Sequence, residues 1–226
     1  MRFHLAGFEQ YLSVTDNKVS VLEIENKILF TRVCQSLLSG MGEQALEPYL
    51  IWGSNGEELK SSEAFKMILS PFDLPWMDKD LGGKIYARMD SFLLEDDALR
   101  SSIEETHQKL VSQAMSLGIQ MQSDYTFTVE WEMRRFLKAF GYSVEADPED
   151  KLLDNLVKLL ELAVDVSFSK VFIFVNLKRF LSDSELDILY EQTVFLKRKV
   201  MLIENVLDSS QFKDELKMTI DQHFLQ

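Results

Sequence analysis

Two short apolar runs on either side of one amphipathic segment constrain the fold of this chain more than any other feature. Val171–Val175 and Val200–Ile203 have the continuous apolar character of strands that are buried on both faces of a sheet. Between them, Ser182–Glu185 has the capping-box pattern that begins a helix. Because a connection of this length joins parallel strands, residues 171–204 predict a βαβ unit in an α/β protein.

The residues of a nucleotide enzyme do not accompany this unit. The nearest approach to a phosphate-binding loop, Gly82-Gly83-Lys84-Ile85, lacks the leading glycine and the hydroxyl side chain that such a loop needs. Neither a Gly-x-Gly-x-x-Gly pattern after a strand nor a Gly-x-Ser-x-Gly pattern is present. We therefore expect no catalytic activity. The enzymatic alternative is a nonstandard site built from Asp124, Glu130 and Arg134, although no nucleophile–base pair is visible there.

The middle of the chain has the periodicity of helices. After Gly82-Gly83, apolar residues recur at spacings of three, four or seven as far as Leu117, and the acidic run 95–97 is a place for a break. Two more helices are predicted, one around Phe136 and one over Leu152–Val166. Because such helices cannot bury their apolar stripes alone, we expect them to pack together. The prediction is an α/β head of residues 1–82 and 167–226, with an inserted helical leg subdomain of residues 83–166.

Charge distribution bears on the class of partner. The formal net charge is −13, which argues against a nucleic-acid ligand unless the basic residues are gathered on one face. The candidate phosphate contacts form three clusters in the sequence: Arg134, Arg135 and Lys138; Lys178 and Arg179; and Lys197, Arg198 and Lys199. For each cluster the alternative is a solvated surface or the positively charged end of a helix.

Carboxylates gather near Trp131. Asp124, Glu130 and Glu132 could supply oxygen ligands to a hard cation such as calcium. The alternative is a solvated helix start, where acidic residues favour the helix dipole. The three histidines lie far apart in the sequence and show no spacing typical of zinc ligands.

Several features bear on the compartment. The single cysteine, Cys34, excludes an internal disulfide and fits a reducing environment. No run approaches the ~20 apolar residues of a membrane helix, and the first residues do not have the pattern of a signal peptide. We expect a cytoplasmic protein without a membrane partner.

Three motifs in the last third of the chain carry a family resemblance. Val171–Asn176, Phe180–Leu186 and Val200–Glu204 resemble the C-terminal core of the Csn2 family, the accessory adaptation proteins of type II-A CRISPR systems. That core has an apolar strand ending in Val-Asn, a helix start of Tyr/Phe-Leu-Ser/Thr-x-x-Glu and an apolar strand ending in Glu. Leu137–Gly141 is similar to the family's Lys-Ala-Leu-Gly stretch, and two earlier segments also fit: Val19–Glu25 and Glu58–Lys60.

The resemblance implies a degenerate P-loop-like head with a helical leg, assembled as a homotetrameric ring. It also implies a non-catalytic role in spacer acquisition, in which the ring binds double-stranded DNA ends, uses calcium and works with other CRISPR adaptation and effector proteins. In one departure, residues 118–126 lack most of the family's calcium-binding acids, and Asp124, Glu130 and Glu132 are the nearest carboxylates. The alternative function is a degenerate nucleotide-binding-like domain that acts as a protein-interaction module.

Overall fold

The computed structural model describes residues 1–119, 131–144 and 149–223. The chain divides into two compact units, a larger one of Met1–Pro75 with Ala146–Gln226 and a smaller one of Trp76–Glu145. The strands of the described residues are β1 (Arg2–Leu5), β2 (Leu12–Ser13), β3 (Val19–Ile24), β4 (Tyr49–Trp52), β5 (Phe65–Ile68), β6 (Val171–Val175), β7 (Val200–Glu204) and β8 (Glu215–Ile220). Their α-helices are α1 (Lys27–Ser39), α2 (Ser61–Ala64), α3 (Lys79–Glu95), α4 (Asp97–Gly118), α5 (Met133–Ala139), α6 (Leu152–Asp165) and α7 (Asp183–Phe195).

The larger unit is built on a five-stranded parallel sheet in the order β5-β6-β7-β3-β8. Every residue of β3, β6 and β7 is buried, as expected for parallel strands that are covered on both faces. Phe172 of β6 lies opposite Val200 of β7 in parallel register, and α7 forms the connection between the two strands. The predicted α/β class and its βαβ unit are confirmed.

The start of α7 has the predicted capping box. The Ser182 hydroxyl accepts a hydrogen bond from the Glu185 N–H at 3.4 Å, and the Glu185 carboxylate accepts one from the Ser182 N–H at 2.8 Å. These bonds satisfy backbone donors that have no partner inside the helix. The helix therefore begins at Asp183, directly after its N-cap residue Ser182.

A three-stranded antiparallel sheet, in the order β2-β1-β4, completes the strands of the larger unit. Its side chains alternate between the core and the opposite face. The core-facing, buried residues of β1 and β4 are Phe3, Leu5, Tyr49 and Ile51. The residues that alternate with them are Arg2, His4, Leu50 and Trp52.

The structure places α6 in the larger unit, whereas the sequence analysis assigned residues 152–166 to the helical leg. The helix buries a complete stripe made of Leu156, Leu159, Leu160 and Ala163. It packs against α7, which belongs to the larger unit. An amphipathic stripe shows that a helix is covered but does not identify the surface that covers it. The helical unit of the structure consequently spans Trp76–Glu145 rather than residues 83–166.

The smaller unit contains α3, α4 and α5. Gly82 and Gly83 lie inside α3, which Asp78 caps by accepting a hydrogen bond from the Leu81 N–H at 2.8 Å. The predicted break in the long helix occurs at Asp96, whose extended backbone ends α3 and whose carboxylate caps α4. No residue of α4 is buried. Across the described ranges, no helix combines the length and apolar character that crossing a membrane requires.

Candidate nucleic-acid interface

In an open parallel sheet, the usual ligand site lies where neighbouring strands send their connections in opposite directions. Here that position is the carboxyl end of β3 and β7, because the chain leaves β3 towards β5 and leaves β7 towards β8. Only Glu25 and Asn26 separate β3 from α1, and Asn26 Oδ1 accepts hydrogen bonds from the N–H groups of Ile28 and Leu29. A phosphate loop does not follow β3, so the predicted P-loop-like character is not confirmed.

A buried network of opposite charges surrounds Lys178. Its Nζ lies 2.7 Å from Glu215 Oε1, 3.2 Å from Glu23 Oε1 and 3.3 Å from Asp208 Oδ2. The side chains of Lys178, Glu23 and Glu215 are 9%, 0% and 3% exposed. Lys217 Nζ also lies 3.2 Å from Glu23 Oε1. Burial lowers the pKa of Lys178, but Glu215 and Glu23 outweigh burial, so the pKa is raised and the lysine stays charged.

The two motif residues that end the paired strands hold this edge of the sheet together. The Lys178 N–H donates to Glu204 Oε1 at 3.1 Å, and the Asn205 N–H donates to Asn176 Oδ1 at 3.1 Å. Asn176 has a φ of 54°, a conformation that asparagine tolerates better than most residues. Burial raises the pKa of Glu204 to about 7. The Val-Asn and apolar-Glu motifs therefore tie the end of β6 to the end of β7.

The chain's own charged groups thus occupy the usual ligand position of the fold. Lys178 follows β6, Asp208 follows β7 and Glu23 lies near the end of β3, and they meet beside the carboxyl edge. The sequence placed Lys178 among the phosphate contacts, whereas the structure gives its ammonium group three carboxylate partners and little access to solvent. Its neighbour Arg179 is exposed and donates to Asn205 Oδ1.

The cluster Lys197, Arg198 and Lys199 lies between α7 and β7. Lys197 is exposed and Lys199 is half-buried. Arg198 donates to the backbone carbonyl of Phe168 and, at 3.4 Å, to that of Lys170. Burial lowers the pKa of Arg198. Lys197 and Lys199 are therefore the members that can meet a phosphate, while Arg198 holds the loop before β6.

The cluster Arg134, Arg135 and Lys138 lies on α5 in the smaller unit, and all three side chains are exposed. Arg134 Cζ and Lys138 Nζ lie 5.8 and 5.9 Å from the centre of the Tyr86 ring. Arg135 Nε lies 2.5 Å from Glu132 Oε2. Exposed pairs of this kind contribute little to stability and exchange partners readily. The α5 cluster can therefore present three cations to a polyanion.

The predicted metal ligands are only partly described. Glu132 is exposed and paired with Arg135. Asp124 and Glu130 lie outside the described residues. Within the part of the chain that the structure covers, no three His, Cys, Asp or Glu side chains are grouped so that they could hold a metal ion. Calcium binding stays a prediction.

Sequence reasoning did not single out the buried acids Glu23, Glu204 and Glu215 as a group. A signal was present, because Glu23 interrupts the apolar run Val19–Ile24. A carboxylate inside a buried strand needs a charged or hydrogen-bonding partner, since burying it alone is costly. That rule predicts a partner but does not identify it.

Comparisons with known proteins agree with this fold. No curated protein sequence matches the chain significantly. The crystal structure of Stu0660 of Streptococcus thermophilus superposes with a TM-score of 0.60 at 16% sequence identity, covering 98% of this chain and 75% of that one. The family model described as CRISPR-associated protein (Cas_Csn2) matches residues 46–224, which is more than half of the chain. The chain therefore belongs to the Cas_Csn2 family of CRISPR-associated proteins.

Proposed function

We propose that this protein is a non-catalytic component of CRISPR adaptation that binds the ends of double-stranded DNA as a ring-shaped homotetramer. Other CRISPR adaptation and effector proteins are its proposed partners in the cytoplasm. The observation that carries the proposal is the family match over residues 46–224. Family membership supports a role in adaptation. Binding of DNA ends, assembly as a ring and the use of calcium are further parts of the proposal.

The position where this type of fold usually binds a ligand, at the carboxyl end of β3 and β7, holds the chain's own charged groups, and this supports a non-catalytic role. Two residues join β3 to α1, and Lys178 pairs with Glu23 and Asp208 beside the carboxyl edge of the sheet. A triphosphate brought to this edge would meet the carboxylates of Glu23 and Asp208. We therefore expect no saturable ATP binding, which would distinguish this protein from a degenerate nucleotide-binding module.

Electrostatics limits how a chain with a net charge of −13 can bind DNA. Acidic residues must face away from the duplex while basic ones face it. The predicted phosphate contacts with side chains available to solvent are Arg134, Arg135, Lys138, Arg179, Lys197 and Lys199. Because such contacts meet the backbone and not base edges, we expect binding that is independent of sequence.

The test compares a linear duplex with a covalently closed circle of the same sequence, which offers no ends. Two variants remove the candidate contacts: R134Q/R135Q/K138Q and R179Q/K197Q/K199Q. A matched control, K18Q/K27Q/K213Q, removes three exposed lysines elsewhere and changes the net charge equally. Wild-type protein should bind the linear form far better than the circle. Each test variant, unlike the control, should reduce the slope of log affinity against log salt by about 2 to 3.

Equal binding of the circle and the linear duplex would contradict end binding. Failure of the linear duplex to bind at low salt, with and without calcium, would remove the DNA-binding proposal. Equal losses in the control variant and the test variants would show that overall charge decides the affinity and that these clusters do not.

Assembly and calcium need a separate measurement. Native mass spectrometry with calcium, with a chelator and with linear duplex reports the number of protomers in each condition. A tetramer in the presence of calcium and duplex is expected. A monomer under all conditions would remove the ring, and a mass that a chelator leaves unchanged would remove calcium from the assembly.

A further inference from the structure

The antiparallel sheet carries an open groove on the face away from its core. Phe3 and Leu5 of β1 are buried, so Arg2 and His4 project from the opposite face. Arg2 lies opposite Trp52 in the register of β1 with β4. The groove has a volume of about 440 Å³, and Glu9, Tyr11 and the turn at Gly53 and Gly56 complete its wall. We call this surface the aromatic groove: Arg2, His4, Glu9, Tyr11 and Trp52.

The rings of the aromatic groove are held in place before any ligand arrives. The His4 and Trp52 ring centroids lie 5.9 Å apart with an angle of 41° between the planes. His4 Nε2 donates to the Phe8 carbonyl at 2.8 Å, which fixes the imidazole that supports the indole. Trp52 is half-buried, and Tyr11 is 51% exposed. Aromatic side chains on a sheet surface are the platforms on which unpaired nucleic-acid bases stack.

Arg2 offers a cationic contact beside these rings. Arg2 Cζ lies 5.2 Å from the centre of the Tyr11 ring, so the guanidinium is held over the ring face. Among the described residues, no carboxylate forms an ion pair with Arg2. The described groove lining also contains one carboxylate, Glu9, and Arg2 is its single fully charged cation.

We propose that the aromatic groove binds an unpaired nucleotide. The base stacks on Trp52 and Tyr11, the Arg2 guanidinium donates to the phosphate, and the Glu9 carboxylate accepts a hydrogen bond from a base N–H. A base inside a duplex is stacked on both faces and cannot enter. The site therefore goes beyond the proposed duplex binding. A single-stranded overhang and a free nucleotide share the required chemistry.

A cationic ligand is the main competitor for such a site. Two aromatic rings with a carboxylate also form the kind of cage that holds a quaternary ammonium group. Arg2 disfavours that ligand, because its own positive charge already lies over the Tyr11 ring. The occupant that matches all these groups has a flat apolar part and a negative charge, as a nucleotide does.

The test uses the full-length protein and two probes. Fluorescence anisotropy measures binding of a labelled short oligothymidylate, and calorimetry measures binding of dTMP. The variants are Arg2→Gln and Tyr11→Ser, and the matched control is Tyr142→Ser, an exposed tyrosine of the smaller unit. Each groove variant should weaken oligothymidylate binding about tenfold or more, while the control stays at wild-type affinity. Circular dichroism checks that every variant is folded.

The two probes identify the source of the nucleotide. Tighter binding of oligothymidylate than of dTMP, lost in both groove variants, supports the site and identifies a strand. Equal binding of both, also lost in the variants, supports the site and identifies a free nucleotide. Failure of both probes to bind, or equal binding by wild type and Tyr11→Ser, overturns the inference. Tyr11→Ser should still bind blunt duplex, because a paired base cannot enter the groove. If wild-type protein binds oligothymidylate but not blunt duplex, the proposed function is contradicted and the groove proposal is still supported.

Discussion

Lys178 is surrounded by carboxylates that its place in the sequence does not indicate. It stands beside Arg179 just after an apolar strand, in a position typical of an exposed cation. In the folded chain its ammonium group lies between Glu23 and Glu215, whose side chains are almost fully buried. Removing a single member of such a network leaves buried charge without a counter-charge, which costs more than the intact network contributes.

We expect Lys178→Met to destabilise the protein by about 3 kcal/mol, because Lys217 would then be the one cation among the described residues that is paired with the two buried glutamates. The measurement is urea unfolding at neutral pH. Lys197→Met is the matched control, since Lys197 is exposed, and should change stability by no more than about 0.5 kcal/mol. Equal unfolding midpoints for Lys178→Met and wild type would show that the network does not stabilise the fold.

Glu204 should make stability depend on pH. Burial raises its pKa from 4.5 to about 7 in the folded chain, so the folded state holds the proton more tightly than the unfolded state. The resulting stability is fully present below the unfolded pKa and is lost as pH rises through the folded pKa. Glu204→Gln removes this loss and keeps an oxygen to accept from the Lys178 N–H.

We therefore expect the free energy of unfolding of Glu204→Gln, taken relative to that of wild type, to be about 2 kcal/mol higher at pH 8 than at pH 5. Urea unfolding of both proteins at the two pH values measures the gain. A stability difference that is the same at pH 5 and pH 8 would mean that Glu204 titrates in its ordinary range.

At the scale of elements, α6 and α7 show the difference between where a helix begins and where it packs. The capping box of Ser182 and Glu185 was visible in the sequence and is present in the structure. The apolar stripe of α6 was also visible, but its partner was not. Leu160 and its neighbours on that stripe pack within the larger unit, next to α7.

We expect Leu160→Ala to destabilise the larger unit by about 3 kcal/mol, because Leu160 is 1% exposed and its truncation leaves a cavity. Val164→Ala on the same helix, at a site 42% exposed, should cost less than about 1 kcal/mol. Hydrogen exchange of the β6 amides measures the effect inside the unit. If Leu160→Ala loosened only Trp76–Glu145 and left β6 unchanged, α6 would belong to the helical unit.

At the scale of the whole molecule, burial is distributed unevenly between the two units. The central strands β3, β6 and β7 are buried throughout, whereas α4 has no buried residue along its length. Its exposed large apolar side chains are Leu99, Leu110, Met115 and Leu117. A long helix with no fully buried residue gains less from packing than a buried strand does, so its backbone opens more readily.

Amide hydrogen exchange at low protein concentration should therefore distinguish α4 from the central strands. We expect the amides of α4 to exchange much faster than those of β6 and β7, because local opening of α4 exposes little apolar surface. Exchange in α4 should slow as concentration rises if self-association covers the helix. Protection of α4 equal to that of β6 in a verified monomer would contradict the expectation.

Features that depend on residues close together in the chain could be predicted from the sequence. These were the βαβ unit over 171–204, the capping box of α7, the helix break at Asp96, the missing phosphate loop and the family resemblance. Each follows from apolar periodicity, backbone capping or a contiguous motif, so a window of the sequence contains the whole cause. Of the candidate site, the same windows identified the exposed cations of α5, Arg179 and Lys197.

Contacts between residues far apart in the chain could not be predicted in this way, because they depend on how the strands pair and pack. The strands β1 and β8 have mixed apolar and polar patterns and form because neighbouring strands pair with them. Lys178 and Glu23 are 155 residues apart in the sequence, and the aromatic groove joins β1 to Trp52 of β4. The sequence does not distinguish a charged side chain that faces solvent from one that is paired with a buried carboxylate. The packing of the sheet determines which of the two occurs.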